Sequence, residues 1–356
     1  MITSSFTHSC ALTLTIPDFA SILPEAQLGP IYRALEQRFQ KLLAECDGDF
    51  DVAVDEVCTT WFKTLTEWDR GEIQALHRFV QGKIRCSEIS AQLRALRAPV
   101  PAADVWRLVI DGRFQRESSD PAQLMWALDQ NEQEFLLPML DAFVAMLSNV
   151  NQSLTVTDIE QWHDIAVSAE LDHDAGMLEE DCATRFGLCE QNMSPAGVYE
   201  FKARYPHNVQ PNNAPRARLS QAIAGDPSDS KLELLLNPML HEDYEMVAAG
   251  GTRAQKRQRC QALINAYALQ TRHATSPELL SAIVGLAQDI EQHHFFADGN
   301  ARTVAFLLVN KLLLQNNLGV WICPDPNHFD LMGRQELIDD LDAGLCAAQA
   351  IYSNVS

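Results

Sequence analysis

The sequence lacks the common devices for holding a nucleotide or sharpening a nucleophile: it has no G-x-x-x-x-G-K-S/T loop, no G-x-G-x-x-G after a strand and no G-x-S-x-G elbow. No uncharged apolar run is long enough to span a bilayer, and the N-terminus, MITSSFTHSCALTLTIP, lacks a signal peptide's basic start. These absences predict a cytoplasmic protein, either in its source cell or in a cell into which it is delivered. Basic residues are scarce. Lys and Arg total 27 against 48 Asp and Glu, giving a net charge of −21, which argues against a general nucleic-acid or anionic-membrane binder. The cysteines number 9, an odd count, and lie scattered at positions 10, 46, 58, 86, 182, 189, 260, 323 and 346, which fits reduced thiols and not a disulfide framework. Cys182 and Cys189 do not have zinc-ligand spacing. Repeats and low-complexity tracts are missing, and strand-like alternation is rare.

What is present is apolar content at helical spacing. The chain has 356 residues, 47% hydrophobic and 21% charged, enough for a sizeable core and more than one domain. Residues 24–46, 51–68, 71–97, 121–149 and 155–170 carry helical periodicity, so an all-α fold is expected. Pro99-Val100-Pro101-Ala102 and Glu117-Ser118-Ser119-Asp120-Pro121 read as breaks. Residues 1–130 hold no motif and read as a helical accessory or target-docking region; residues 131–356 carry the chemistry.

That chemistry lies between two apolar helices. Thr275-Ser276-Pro277-Glu278 is a helix-start signal, followed by Leu279, Leu280, Ile283, Leu286, Ala287 and Ile290 at helical spacing, up to His293-His294. Val304, Leu307, Leu308, Lys311, Leu312 and Leu314 continue as a second helix. The intervening turn, Asp298-Gly299-Asn300-Ala301-Arg302, therefore sits at a helix N-terminus, where backbone N–H groups and the dipole favour an anion such as a pyrophosphate. His294 has the side chain to take a proton from a hydroxyl. Asp298 is a hard oxygen ligand suited to Mg²⁺ or Mn²⁺. Asn300 and Arg302 are placed to hold phosphates, and Phe296 is expected to wedge into the core and fix the loop.

Written His293 to Arg302, HHFFADGNAR resembles the Fic/Doc signature H-x-F-x-D/E-G-N-G-R-x-x-R, with departures at Ala301 and Ala305. Leu154 to His163 is similar to the family's first core helix, with a Thr cap before an apolar stripe; Gly197-Val198-Tyr199 followed by Phe201-Lys202 resembles the stretch before its substrate-clamping flap. A last helix over Gln335 to Ala350 matches one the family often has. The resemblance implies a Fic-type helical core with an additional helical N-terminal region. It implies an enzyme that moves a nucleoside monophosphate, AMP above all, from ATP or another nucleotide to a Ser, Thr or Tyr hydroxyl of a target protein. His294 would be the base, Asp298 the Mg²⁺ or Mn²⁺ ligand, and Gly299, Asn300, Ala301 and Arg302 the nucleotide-phosphate cradle. A host GTPase is one class of target, and a secreted bacterial effector one setting. Ala301 and Ala305 keep two variants open, a phosphocholine transferase and a Doc-like protein kinase, beside a non-catalytic binding module. Ala305 also removes the partner of the family's internal inhibitory glutamate.

Other candidates read as structural. His163 and His173 are wrongly spaced for a metal pair on one helix face. Arg253, Lys256, Arg257 and Arg259 form a basic cluster best read as a solvated helix face, with Arg216 and Arg218 able to extend it. His293 has a packing or solvent role.

Overall fold

The computed structural model describes residues 25–67, 70–112, 115, 135–168, 176–177, 185–187, 193–204, 245–247 and 251–352. Helices dominate, as the periodicity predicts. The N-terminal part holds α1 (Glu25–Glu45), α2 (Phe50–Thr60), a 3-10 turn (Phe62–Glu67), α3 (Arg70–Ala95) and a second 3-10 turn (Ala102–Leu108). The expected helix over 51–68 is thus split near Trp61, whose indole is 3% exposed and anchors the join. Then come α4 (Leu136–Ser148), α5 (Val156–Ala166), a short strand β1 (Arg185–Gly187), α6 (Pro195–Arg204) and a second strand β2 (Glu245–Val247) that pairs antiparallel with β1. The C-terminal part is α7 (Arg253–Gln270), α8 (Ser276–His293), a π-helical segment (Arg302–Leu308) running into α9 (Val309–Gln315), α10 (His328–Leu331) and α11 (Arg334–Tyr352). The break at Glu117 to Pro121, the predicted helix before residue 135, His173, Arg216, Arg218 and three of the cysteines lie outside the described residues.

Local chemistry sets the boundaries. Asp49 caps α2 through a bond from Val52 N, 3.1 Å. Thr155 and Asp158 exchange backbone-to-side-chain bonds in a capping box at α5, as Thr252 and Gln255 do at α7. At α8 the Glu278 carboxylate accepts from Thr275 N, 2.7 Å, with Pro277 in the first turn. Three C-termini, those of α1 (Asp47, φ 55, with Gly48 N donating to Leu43 O, 2.9 Å), α3 and α9, close the same way with a non-glycine residue in the left-handed region. Arg97 (φ 61) ends α3 with Ala98 N donating to Leu93 O, 3.0 Å, and Asn317 (φ 56) ends α9 with Leu318 N donating to Leu313 O, 2.9 Å.

Two apolar clusters hold the helices. The smaller joins α1, α2 and the first half of α3 around Phe39, Trp61, Leu76 and Phe79. The larger begins at Cys86 in the second half of α3 and takes in α4, α5, α7, α8, α9 and α11, so α3 serves both. Helix α8 is the centre of the larger unit: α7, α11, α10 and the π/α9 helix pack on it, while α4 and α5 pack on each other and on the π segment. Trp162, Trp321, Phe143 and Phe306 are each at most 2% exposed, worth roughly 1.5–3 kcal/mol apiece for large apolar side chains. Because α8 and the π/α9 helix are both packed on nearly every side, the loop joining them has fixed ends.

One buried residue of that second helix is charged. Lys311, placed on the apolar stripe by spacing, is 1% exposed, and its Nζ donates to Val150 O (2.8 Å), Gln152 O (2.7 Å) and Gln315 Oε1 (2.8 Å), tying α9 to the end of α4.

Candidate active site

Helix α8 ends in a left-handed residue, His294 (φ 42, ψ 65), whose N–H donates to Glu291 O at 2.9 Å. Histidine is one of the side chains that tolerates this region. The reversal turns the chain into a tight loop, with Phe295 and Phe296 each 1% exposed and Ala297 and Asp298 on the outside. Phe296 does wedge into the core. Its ring lies flat on that of His163 in α5, centroids 3.8 Å apart and planes 11° apart.

Three further contacts lock the loop. His163 Nε2–H donates to Asp298 O at 2.9 Å. The Asn300 side chain spans the loop, its Oδ1 accepting from Phe296 N (3.1 Å) and its Nδ2 donating to Phe296 O (3.0 Å). Gly299 takes φ 69, and a Cβ there would stand 2.5 Å from Val167 Cγ1 and 3.4 Å from His163 Nε2, so only glycine fits both the turn and the wall behind it. Thr303 closes the first turn with N–H and Oγ both donating to Gly299 O, 3.1 and 2.9 Å.

The predicted site residues thus fall on one loop, with differing availability. Asp298 is exposed, and its Oδ1 accepts from Gly299 N at 2.6 Å, which steadies a hard carboxylate at the rim; this suits a Mg²⁺ or Mn²⁺ that keeps most of its waters. Asn300 is 6% exposed with both amide atoms spent on Phe296, so what it can offer an anion is its backbone N–H. Ala301 and Arg302 are half-buried and open the helix, where the first N–H groups point outward along the axis. The Arg302 guanidinium carbon lies 5.0 Å from the centre of the Phe135 ring, a cation–π contact. Ala305 is 0% exposed, inside the π-helical stretch. Such stretches recur beside functional sites.

Two residues of this site carry no signal in the motif. His294 is 8% exposed, and its Nε2 lies 3.4 Å from Glu291 Oε1 and 3.6 Å from Asp330 Oδ1. Glu291 was findable, since three residues apart on a helix is a facing position. Asp330 was not. It arrives on α10, which is fixed to α8 by Gln292 Nε2 donating to Asp330 O (2.7 Å) and Gln288 Nε2 donating to Met332 O (2.7 Å). On its other side α10 meets α6, where Ser194 N donates to Leu331 O at 3.0 Å and any Cβ on Gly197 would run into that same carbonyl. Gly197, which resembled a pre-flap glycine, has this packing role. Burial, then the Asp330 charge, pushes the Glu291 carboxyl well above the usual range.

The remaining candidates are structural. His293 packs against Phe295 (ring centroids 5.1 Å apart) with Nδ1–H donating to Asp289 O at 2.6 Å, and burial pulls its pKa down. The basic cluster departs from a solvated face: Lys256 is 1% exposed, and Arg253 and Arg257 both meet Glu160 of α5, so the charges join α7 to the core. Burial pushes the Cys86 and Cys260 thiols up to about 12, which leaves them unreactive.

No protein-family profile matches the chain, and no curated protein matches it in sequence.

Proposed function

We propose that this chain is a Fic-type transferase that moves a nucleoside monophosphate, AMP in the first instance, from a nucleotide to a Ser, Thr or Tyr hydroxyl of a target protein. The observation that carries the reading is the loop from His294 to Arg302: a base candidate beside two carboxylates, an exposed carboxylate and a guanidinium, all on a rigid turn at the N-terminus of a buried helix.

In this mechanism the nucleotide's phosphates lie on the first N–H groups of the π/α9 helix, with Arg302 supplying paired donors. Glu291 and Asp330, 3.4 and 3.6 Å from Nε2, favour through space the tautomer that keeps its proton there. Nδ1 then carries the lone pair. The target hydroxyl oxygen attacks the α-phosphorus, its proton passes to Nδ1, and the bond from that phosphorus to the bridging oxygen breaks to release pyrophosphate. The Asp330 carboxylate offsets the positive charge the ring gains. A Mg²⁺ held by Asp298 would supply charge neutralisation on the phosphate oxygens.

Ala305 favours a second reading on the same loop. A buried alanine adds no charge where a second Arg would face a third phosphate, so a diphosphate-linked donor, such as a cytidine diphosphate alcohol giving phosphocholine transfer, also fits. Bare phosphate transfer fits less well, because Ala301 supplies no cation. The test is to incubate the protein and a lysate with each donor and Mg²⁺ or Mn²⁺, then measure added mass on modified peptides. A nucleoside monophosphate that disappears in His294→Ala and in Asp298→Ala is expected. Labelling by His294→Ala at the wild-type rate refutes the base, and no added mass with any donor leaves a binding module.

A further inference from the structure

The cluster Glu291, His294 and Asp330 is more than an orienting device. These residues are 1%, 8% and 5% exposed, and one donor atom of each lies within 4.8 Å of the others. The two separations from His294 Nε2, 3.4 and 3.6 Å, exceed the usual 2.9–3.0 Å of an N–H···O bond. They match instead the spacing of two ligands around one ion. With metal–ligand distances of about 2.0–2.2 Å, tetrahedral geometry places neighbouring donors roughly 3.4 Å apart.

A second observation points to a ligand independently. Glu291 Oε2 is buried and has no hydrogen-bond partner among the described residues. A carboxyl oxygen out of water and unbonded is costly, and here a second acidic side chain and an imidazole nitrogen stand beside it. A divalent cation would offset both carboxylates and occupy that oxygen. The scaffold is suitable: Glu291 lies in the buried C-terminal half of α8, and Asp330 is held through its own carbonyl by Gln292.

We propose that Glu291, His294 and Asp330 form a binding site for a divalent first-row transition cation, with Zn²⁺ the natural occupant, separate from the Mg²⁺ expected at Asp298. One imidazole nitrogen with two carboxylate oxygens suits a borderline ion; Mg²⁺ prefers oxygen and water. The consequence for transfer rests on the function proposed above. A neutral imidazole has a single nitrogen lone pair. Once Nε2 gives it to the cation, Nδ1 holds the ring's proton and no basic nitrogen remains, so an occupied site is a resting site.

Co²⁺ titration of the full, chelator-stripped protein tests the site without nucleotide or target, so its outcome is independent of the transferase reading. We expect one equivalent to bind with visible d–d bands and no near-ultraviolet thiolate band. Glu291→Gln and Asp330→Asn should each weaken binding at least tenfold, the lower end of the loss seen even for outer-shell partners, with helical circular dichroism retained. Unchanged affinity in both variants overturns the site. So does a thiolate band or the lack of any d–d band in the wild type, which keeps the test decisive should a variant fail to fold. Where transfer is measurable with Mg²⁺, one equivalent of Zn²⁺ should abolish it and a chelator restore it; undiminished transfer at full occupancy overturns the resting-state role.

Discussion

Replacing Gly299 with alanine probes the loop to which the proposed chemistry is assigned. Two costs can be worked from the structure. The first is conformational: φ 69 is a left-handed backbone, which costs an L side chain about 1–2 kcal/mol. The second is steric. The new Cβ would lie 2.5 Å from Val167 Cγ1, against an optimum of about 3.5–4.0 Å for two carbons, so something must retreat by roughly 1 Å. Val167 is 1% exposed and β-branched, with few alternative rotamers, and His163 stands 3.4 Å away on the same side. Overpacking of that kind costs about 1–3 kcal/mol, for a total of about 2–5 kcal/mol. Gly319→Ala supplies the control: φ there is 96 and no atom of the described residues lies within 4 Å, so it bears the backbone cost alone. Urea unfolding of both variants should show Gly299→Ala with the lower midpoint at equal slope. Equal midpoints would mean that the loop is not pressed against α5, and the rigid-turn argument for His294 and Arg302 would fall with it.

Two further outcomes follow from buried polar groups. Asn300→Ala leaves Phe296 N and O without their partners in a buried loop, and should cost about 2–3 kcal/mol by thermal or urea unfolding; a loss under about 0.5 kcal/mol would show that the amide does not lock the turn. Lys311 gives a pH dependence: burial pulls its ammonium down to about 8, with the Asp158 charge opposing, against about 10.4 when unfolded. Between those values the unfolded chain binds more protons at this residue, so its contribution to stability rises with pH from about 8 to about 10.4. Lys311→Met should lack that rise when unfolding midpoints are compared across the window, and an identical pH profile in the variant would refute the buried-ammonium account.

Sequence alone determined whatever depends on neighbours a turn or two apart. The Thr155/Asp158 and Thr275/Glu278 caps, the apolar stripe of α8 and the placement of an Asp-Gly-Asn turn at a helix start are local, because hydrogen-bond reach and 3.6-residue periodicity act within a few residues. The all-α class followed from summing such signals. The same locality explains what was missed. Asn300 was read as a phosphate holder because the motif cannot say that its amide spans the loop to Phe296. His163 was a histidine on a helix until tertiary packing laid it under Phe296 and against the Asp298 carbonyl. Lys256 read as part of a solvated helix face, yet it is buried, since burial is decided by which elements meet. Most of all, nothing near residue 294 announces Asp330. Its carboxylate reaches the His294 ring only because Gly197 lets α6 and α10 close and two glutamines of α8 grip the α10 backbone. The motif names the residues that can do chemistry; the packing of distant helices fixes the charge around them, because electrostatics acts through space and the chain order does not record it.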